Sequence, residues 1–128
     1  MAYLIDTHVL LWSAQDSPKL RPSTREVLAD RSNEVLFSVA SIWEIVIKVA
    51  LDRPDLRVDP DRLREGALRA GYGELPIRGR HVLKVAGLPP IHKDPFDRIL
   101  LAQAVAEGVT LLTADARLLG YGPPAAPA

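Results

Sequence analysis

The chain has 128 residues, 48% hydrophobic and 25% charged, a balance that predicts one globular domain with its own core and excludes a disordered or collagen-like polymer. Sixteen Lys and Arg against sixteen Asp and Glu leave no net charge, so no global field draws the chain to nucleic acid and any such contact must be local. The absence of cysteine excludes disulfides, thiolate metal sites and cysteine nucleophiles; no apolar run approaches the ~18 residues of a membrane span and no leader pattern is present, so the expected compartment is the cytoplasm.

Tyr3-Leu4-Ile5 reads as a buried strand that ends at Asp6-Thr7, with His8 to Trp12 as the helix that follows. Ser23 and Glu26 stand at capping-box spacing ahead of a second helix that reaches about Arg31. Val35-Leu36-Phe37 is a second strand, after which Ser38 or Ser41 caps a helix over 42–51. That helix is apolar on nearly every side, which predicts that it is sandwiched by other elements. Residues 53–60 make a proline-bounded loop, 61–70 an amphipathic helix closed by Gly71, and 74–77 a weak strand whose Pro76 assigns it to a sheet edge.

Arg78, Arg80 and His81 form the densest basic cluster, expected as solvated surface, at the head of a short helix over 80–86. A longer helix runs from Pro95 to Glu107 and stops at Gly108; Val109 to Thr113 is the final strand and delivers Ala114-Asp115 to its C-terminal end. The Pro- and Ala-rich stretch 121–128 is expected to be a disordered tail on a single domain spanning 1–120. Short strands alternating with helices predict parallel βαβ units, hence an α/β fold built as a three-layer α/β/α sandwich on a short central parallel sheet. No internal repeat, P-loop or dinucleotide-binding glycine pattern is present.

The acids carry the chemistry. Asp6 and Asp115 each follow an apolar strand, and parallel neighbours would bring both to one edge of the sheet. Either alone is explained by turn formation; together they point to a site. Glu44 and Lys48 are spaced as a helix-surface pair, yet a carboxylate on so apolar a helix must find a partner or a cleft. Asp94 precedes Pro95 and is placed as an N-cap, whereas Asp97 falls on the inward stripe of Leu100, Leu101, Ala104 and Val105. Carboxylates that converge at a sheet rim repel one another unless cations neutralise them, and an all-oxygen donor set suits Mg²⁺ or Mn²⁺. His8, His81 and His92 form no spaced ligand pair; His92 is read as a loop residue near the site.

The segments LIDTHVLLW at 4–12, SVASIWEIVIK at 38–48, HKDPFDRILLAQA at 92–104 and LLTAD at 111–115, in this order, resemble PIN-domain ribonucleases, and more narrowly the VapC-type toxins of bacterial toxin–antitoxin modules. The resemblance runs from Tyr3 to about Leu118. It implies an acidic quartet of Asp6, Glu44, Asp97 and Asp115 as catalytic and metal-holding residues, with Asp94 as an additional acid. It also implies Thr7 and Thr113 as hydroxyl neighbours of the metals, and Lys48 and Arg98 as flanking phosphate contacts. The implied activity is hydrolysis of RNA phosphodiesters by one or two Mg²⁺ or Mn²⁺ ions. Implied partners are RNA, a second copy in a homodimer, and an antitoxin whose tail covers the acidic groove; Leu10, Leu11 and Trp12 are candidate contact residues, though core packing would use at least two of them.

Other readings compete. A phosphatase with Asp6 as nucleophile wants an acid two residues on, where His8 stands, and a receiver domain wants its acceptor after a middle strand, where Ser38 stands. A purely binding role within an antitoxin complex needs no acidic quartet at all.

Overall fold

The structure, a computed structural model, describes residues 1–54 and 56–128; residue 55, within the predicted loop 53–60, lies outside the described residues. In chain order the elements are β1 (Ala2–Ile5), α1 (Thr7–Ala14), α2 (Pro22–Ala29), β2 (Glu34–Ser38), α3 (Val39–Ala50), α4 (Pro60–Arg69), β3 (Gly73–Leu75), α5 (Gly79–Val85), α6 (Pro95–Glu107), β4 (Thr110–Thr113), α7 (Ala116–Leu119) and β5 (Ala125–Pro127). The strands form one sheet in the order β3-β2-β1-β4-β5 with every pair parallel. The predicted α/β sandwich is therefore the observed architecture.

Alternation along the strands divides the core in two. Ile5, Val35, Phe37 and Leu112 face one layer, packed with Val9, Leu10 and Leu63 of α1 and α4. Leu4 and Leu111 face the other, packed with Leu100, Leu101 and Ala104 of α6. Each such fully buried large side chain contributes about 1.5–3 kcal/mol by leaving water. Asp94 caps α6 by accepting from the N–H groups of Phe96 (2.8 Å) and Asp97 (3.4 Å), and Gly108 ends it in the left-handed conformation at φ 67°. Ser38, not Ser41, caps α3, accepting from the Ala40 N–H at 3.0 Å.

Four expectations are corrected. The Ser23–Glu26 capping box does not form, because Pro22 opens α2 at its first turn with Arg21 as an uncapped entry residue. Helix α3 is not sandwiched: Glu44 and Ile45 face inward, while Trp43 (57% exposed), Val46, Ile47 and Leu51 face outward. Residues 125–127 are not a disordered tail but an edge strand, bracketed by bonds from the Leu111 N–H to the Pro124 carbonyl and from the Ala128 N–H to the Thr113 carbonyl, each 2.9 Å. Strand pairing is a backbone interaction, so small residues suffice, and Pro127 at the sheet edge lacks only a donor that the ladder does not need. His81, finally, is not solvated surface but fully buried.

Candidate active site

Strands β2 and β3 lie on one side of β1, and β4 and β5 on the other, so the connections diverge at the C-terminal ends of β1 and β4. A crevice at such a switch point is where open parallel sheets hold functional groups. Asp6 and Asp115 are the residues that arrive there: Asp6 follows β1 and caps α1, and Asp115 follows β4 and caps the unpredicted helix α7. Each uses one carboxylate oxygen for its cap, Asp6 Oδ1 accepting from the Val9 N–H (2.8 Å) and Asp115 Oδ1 from the Arg117 N–H (2.7 Å). The other oxygen of Asp115 faces His92, and that of Asp6 turns toward β4.

Thr113 ties the two together. Its hydroxyl donates to Asp6 Oδ2 at 2.6 Å and accepts from the Asp115 N–H at 3.0 Å. Asp6 is only 2% exposed, and burial pushes its carboxyl above the ordinary range against the opposing bonds from Thr113 and Val9. Thr7 plays the matching part for Glu44: its hydroxyl donates to Glu44 Oε1 at 2.6 Å and lies 3.0 Å from the Ser41 hydroxyl. Glu44 Oε2 meets Lys48 Nζ at 2.6 Å. A buried carboxylate on α3 is thereby paired within its own helix and tied to the start of α1.

On α6, Asp97 Oδ2 accepts from His92 Nε2 at 2.7 Å, and the same Nε2 lies 3.6 Å from Asp115 Oδ2. One ligand atom each from His92, Asp97 and Asp115 falls within 4.8 Å of the others. Burial pushes the Asp97 carboxyl up to about 6, and the charges of Asp94, Asp115 and Glu44 add to the rise while the His92 bond opposes it. Asp97, largely withdrawn from water, thus stands in the field of three other carboxylates.

The arrangement brings Asp97 and Asp115 together directly, links Asp6 through Thr113, and sets Glu44 close enough for its charge to act on Asp97. Asp94 serves as the α6 cap. Arg98 turns the other way: its guanidinium donates to the carbonyls of Val85 (3.1 Å), Pro89 (3.2 Å) and His92 (3.2 Å) and to the Tyr121 hydroxyl (3.3 Å). It fastens the loop that carries His92. The residue that sequence reasoning left outside the cluster is His92 itself, 4% exposed, with Nδ1 facing the Asp94 N–H at 3.4 Å. The signal was the short His92-Lys93-Asp94-Pro95-Phe96-Asp97 run, which lets the ring fold back onto the first turn of α6.

The PIN domain family model matches residues 3–122. No curated protein matches the sequence. Among solved structures, VapBC2 from Rickettsia felis bound to a DNA fragment from its promoter aligns with a TM-score of 0.71 at 15% identity, covering 100% of this chain and 98% of that one. A toxin–antitoxin complex from Klebsiella pneumoniae aligns with a TM-score of 0.64 at 17% identity, covering 97% and 95%. VapBC-1 from nontypeable Haemophilus influenzae gives 0.62 at 16% identity, covering 94% and 92%. At such identities the likeness is one of fold.

Proposed function

The chain belongs to the PIN domain family, and on that premise we propose that it is a metal-dependent endoribonuclease, the VapC-type toxin of a toxin–antitoxin pair, acting in the cytoplasm. The observation that carries this reading is the convergence of Asp97, Asp115 and His92 at the switch point, with Asp97 held up to about 6 among neighbouring carboxylates. Such a donor set fits a hard divalent cation, since oxygen-rich ligands favour Mg²⁺ or Mn²⁺. Asp6, Glu44, Asp97 and Asp115 would hold it. When bound, the cation supplies a lowered pKa for an attacking water and charge neutralisation at the scissile phosphate.

The chain's own residues set the geometry for that chemistry. Thr113 fixes the Asp6 carboxylate and Thr7 the Glu44 carboxylate, which orients each of them toward its neighbours in the crevice. His92 orients Asp97, and Arg98 holds the His92 loop against α6. Among the described residues no helix is long and apolar enough to cross a membrane. The outward row of Trp43, Val46 and Ile47 on α3, with Leu51 at its C-cap, is the apolar surface best suited to a homodimer or antitoxin contact, a role that the buried Leu10 and Leu11 do not fill.

The test is incubation of the purified, antitoxin-free protein with total cellular RNA in Mg²⁺ or Mn²⁺ and in EDTA, beside Asp97→Asn. Cutting that needs metal and vanishes in the variant is the expected result; cutting that persists in EDTA or in the variant would overturn the assignment of this site.

A further inference from the structure

Resting on the ribonuclease reading above, we propose that Ser41 is a positioning residue of the site, acting through Thr7 to set the Glu44 carboxylate for a divalent cation. Ser41 stands one helical turn before Glu44 on α3, so the two share a face, and it is fully buried. Its hydroxyl lies 3.0 Å from that of Thr7, which in turn donates to Glu44 Oε1 at 2.6 Å. Among the described residues Thr7 is the one partner of the Ser41 hydroxyl.

Proton count gives this row of hydroxyls a direction. An ionised carboxylate only accepts, so the single Thr7 proton goes to Glu44. The 3.0 Å bond then takes the Ser41 proton, which fills a lone pair on Thr7 and fixes its rotor. Hydrogen bonds aligned head to tail in a dry setting polarise one another, which strengthens Thr7 as a donor. Ser41, Thr7 and Glu44 are each at most 4% exposed, so water has little access to stand in for a lost partner.

The two oxygens of Glu44 are held differently. Oε2 meets Lys48 Nζ at 2.6 Å, a cation on a flexible, partly exposed stem, whereas Oε1 is held by the buried hydroxyls. The rigid hold on the carboxylate therefore comes from the Thr7 and Ser41 side. Alanine at 41 would serve the helix better, having the higher helix propensity and no polar group to bury. What the hydroxyl contributes thus lies outside α3, at the Asp6-Thr7 end of β1. That dipeptide carries one acid of the site, held by Thr113, and the hydroxyl that holds another.

The test reads the Kd for Mn²⁺ of metal-free protein without RNA, from the EPR signal of the free ion, with Tm measured alongside. Ser41→Ala should raise that Kd about three- to tenfold, the worth of one hydrogen bond, and Thr7→Val roughly 10–100-fold. Because Ser41 acts through Thr7, adding Ser41→Ala to Thr7→Val should raise the Kd no further. Ser41→Thr retains the hydroxyl and should restore the wild-type Kd. Ser13→Ala removes a hydroxyl pair of the same length, 3.0 Å to Tyr72 near the other end of α1, and should leave the Kd unchanged whatever it does to Tm. In RNA cleavage, Ser41→Ala should need more Mn²⁺ for half-maximal rate and approach the wild-type rate at saturation. A Kd that Ser41→Ala leaves unchanged, raises equally in the Thr7→Val background, or raises no more than Ser13→Ala does, with metal-dependent cleavage by the wild type intact, overturns the positioning role and leaves the ribonuclease reading standing. No Mn²⁺ binding together with no cleavage by the wild type overturns both.

Discussion

Helix α6 carries a histidine–carboxylate pair at each end, and the two pairs have opposite electrostatic outcomes. At the C-terminal end, buried His81 accepts the Arg78 N–H at Nδ1 (3.0 Å) and donates from Nε2 to Glu107 (2.9 Å), which Arg80 also pairs. The His81 bond, with Arg80 assisting, holds the Glu107 carboxyl below its usual range. At the N-terminal end, His92 donates to Asp97 at 2.7 Å, yet burial and the surrounding Asp94, Asp115 and Glu44 push that carboxyl up to about 6. The first pair is closed by its own cations; the second faces a surplus of negative charge. Both are histidine–carboxylate pairs; burial and three neighbouring carboxylates at one end, against a pairing arginine at the other, separate a structural clasp from a candidate site.

The sharpest way to break this contrast is substitution at the charged end. Asp97→Asn should cut RNA cleavage by well over ~10²-fold, since even groups one step beyond a metal's ligands are worth 10–100-fold. The same variant sharpens the electrostatic claim. Asp97 titrates near 6 when folded against an ordinary 3.8, so the folded chain holds an extra proton between those values. Relative to Asp97→Asn, the metal-free wild type should therefore lose thermal stability as pH rises from about 4 to about 6, and not regain it above. At pH 7, Mn²⁺ should raise the wild-type Tm and leave that of the variant nearly unchanged; equal Tm gains in both would remove Asp97 from the metal site.

His92→Asn should reduce cleavage by roughly 10–100-fold while the chain stays folded, as expected of a group that orients a ligand. Its counterpart, Glu107→Gln, should leave cleavage per folded molecule untouched and cost about 1–2 kcal/mol in denaturant unfolding, because buried His81 loses a charged acceptor. The smallest effect belongs to Gln103, between the two ends: its Nε2 donates to the Pro76 carbonyl at 3.2 Å, but its buried Oε1 has no partner among the described residues. Gln103→Met should change stability by less than about 1 kcal/mol, the lost bond offset by removal of an unsatisfied polar atom.

Much of the frame was legible because it rests on local rules. Asp94-Pro95 and Gly108 bound α6 as their cap chemistry requires, and the apolar runs at 3–5, 35–37 and 109–113 became adjacent parallel strands. Asp6 and Asp115 were readable as edge residues for the same reason. Helix α7 was missed because it is a four-residue helix announced only by Asp115 as its cap. The outer face of α3 was misread because an apolar helix in a sequence looks the same whether neighbours cover it or not; here Phe96 makes a T-shaped contact with Trp43, ring centroids 5.1 Å apart, and Trp43 stays 57% exposed.

The sequence by itself determined the layered α/β fold, the Asp94 and Gly108 caps of α6 and the carboxylates at strand ends, since periodicity, capping and strand-end placement are properties of a few consecutive residues. Tertiary structure alone decided that 125–127 pairs with β4, that His81 is clasped within the fold, and that His92 turns onto Asp97 and Asp115. Those outcomes depend on backbone edges and loop closures between segments far apart in the chain, such as the Arg98 bonds to Val85, Pro89 and Tyr121. No local pattern encodes the partner that another segment will bring, so the sign of the field at each end of α6 emerged only once the segments were packed.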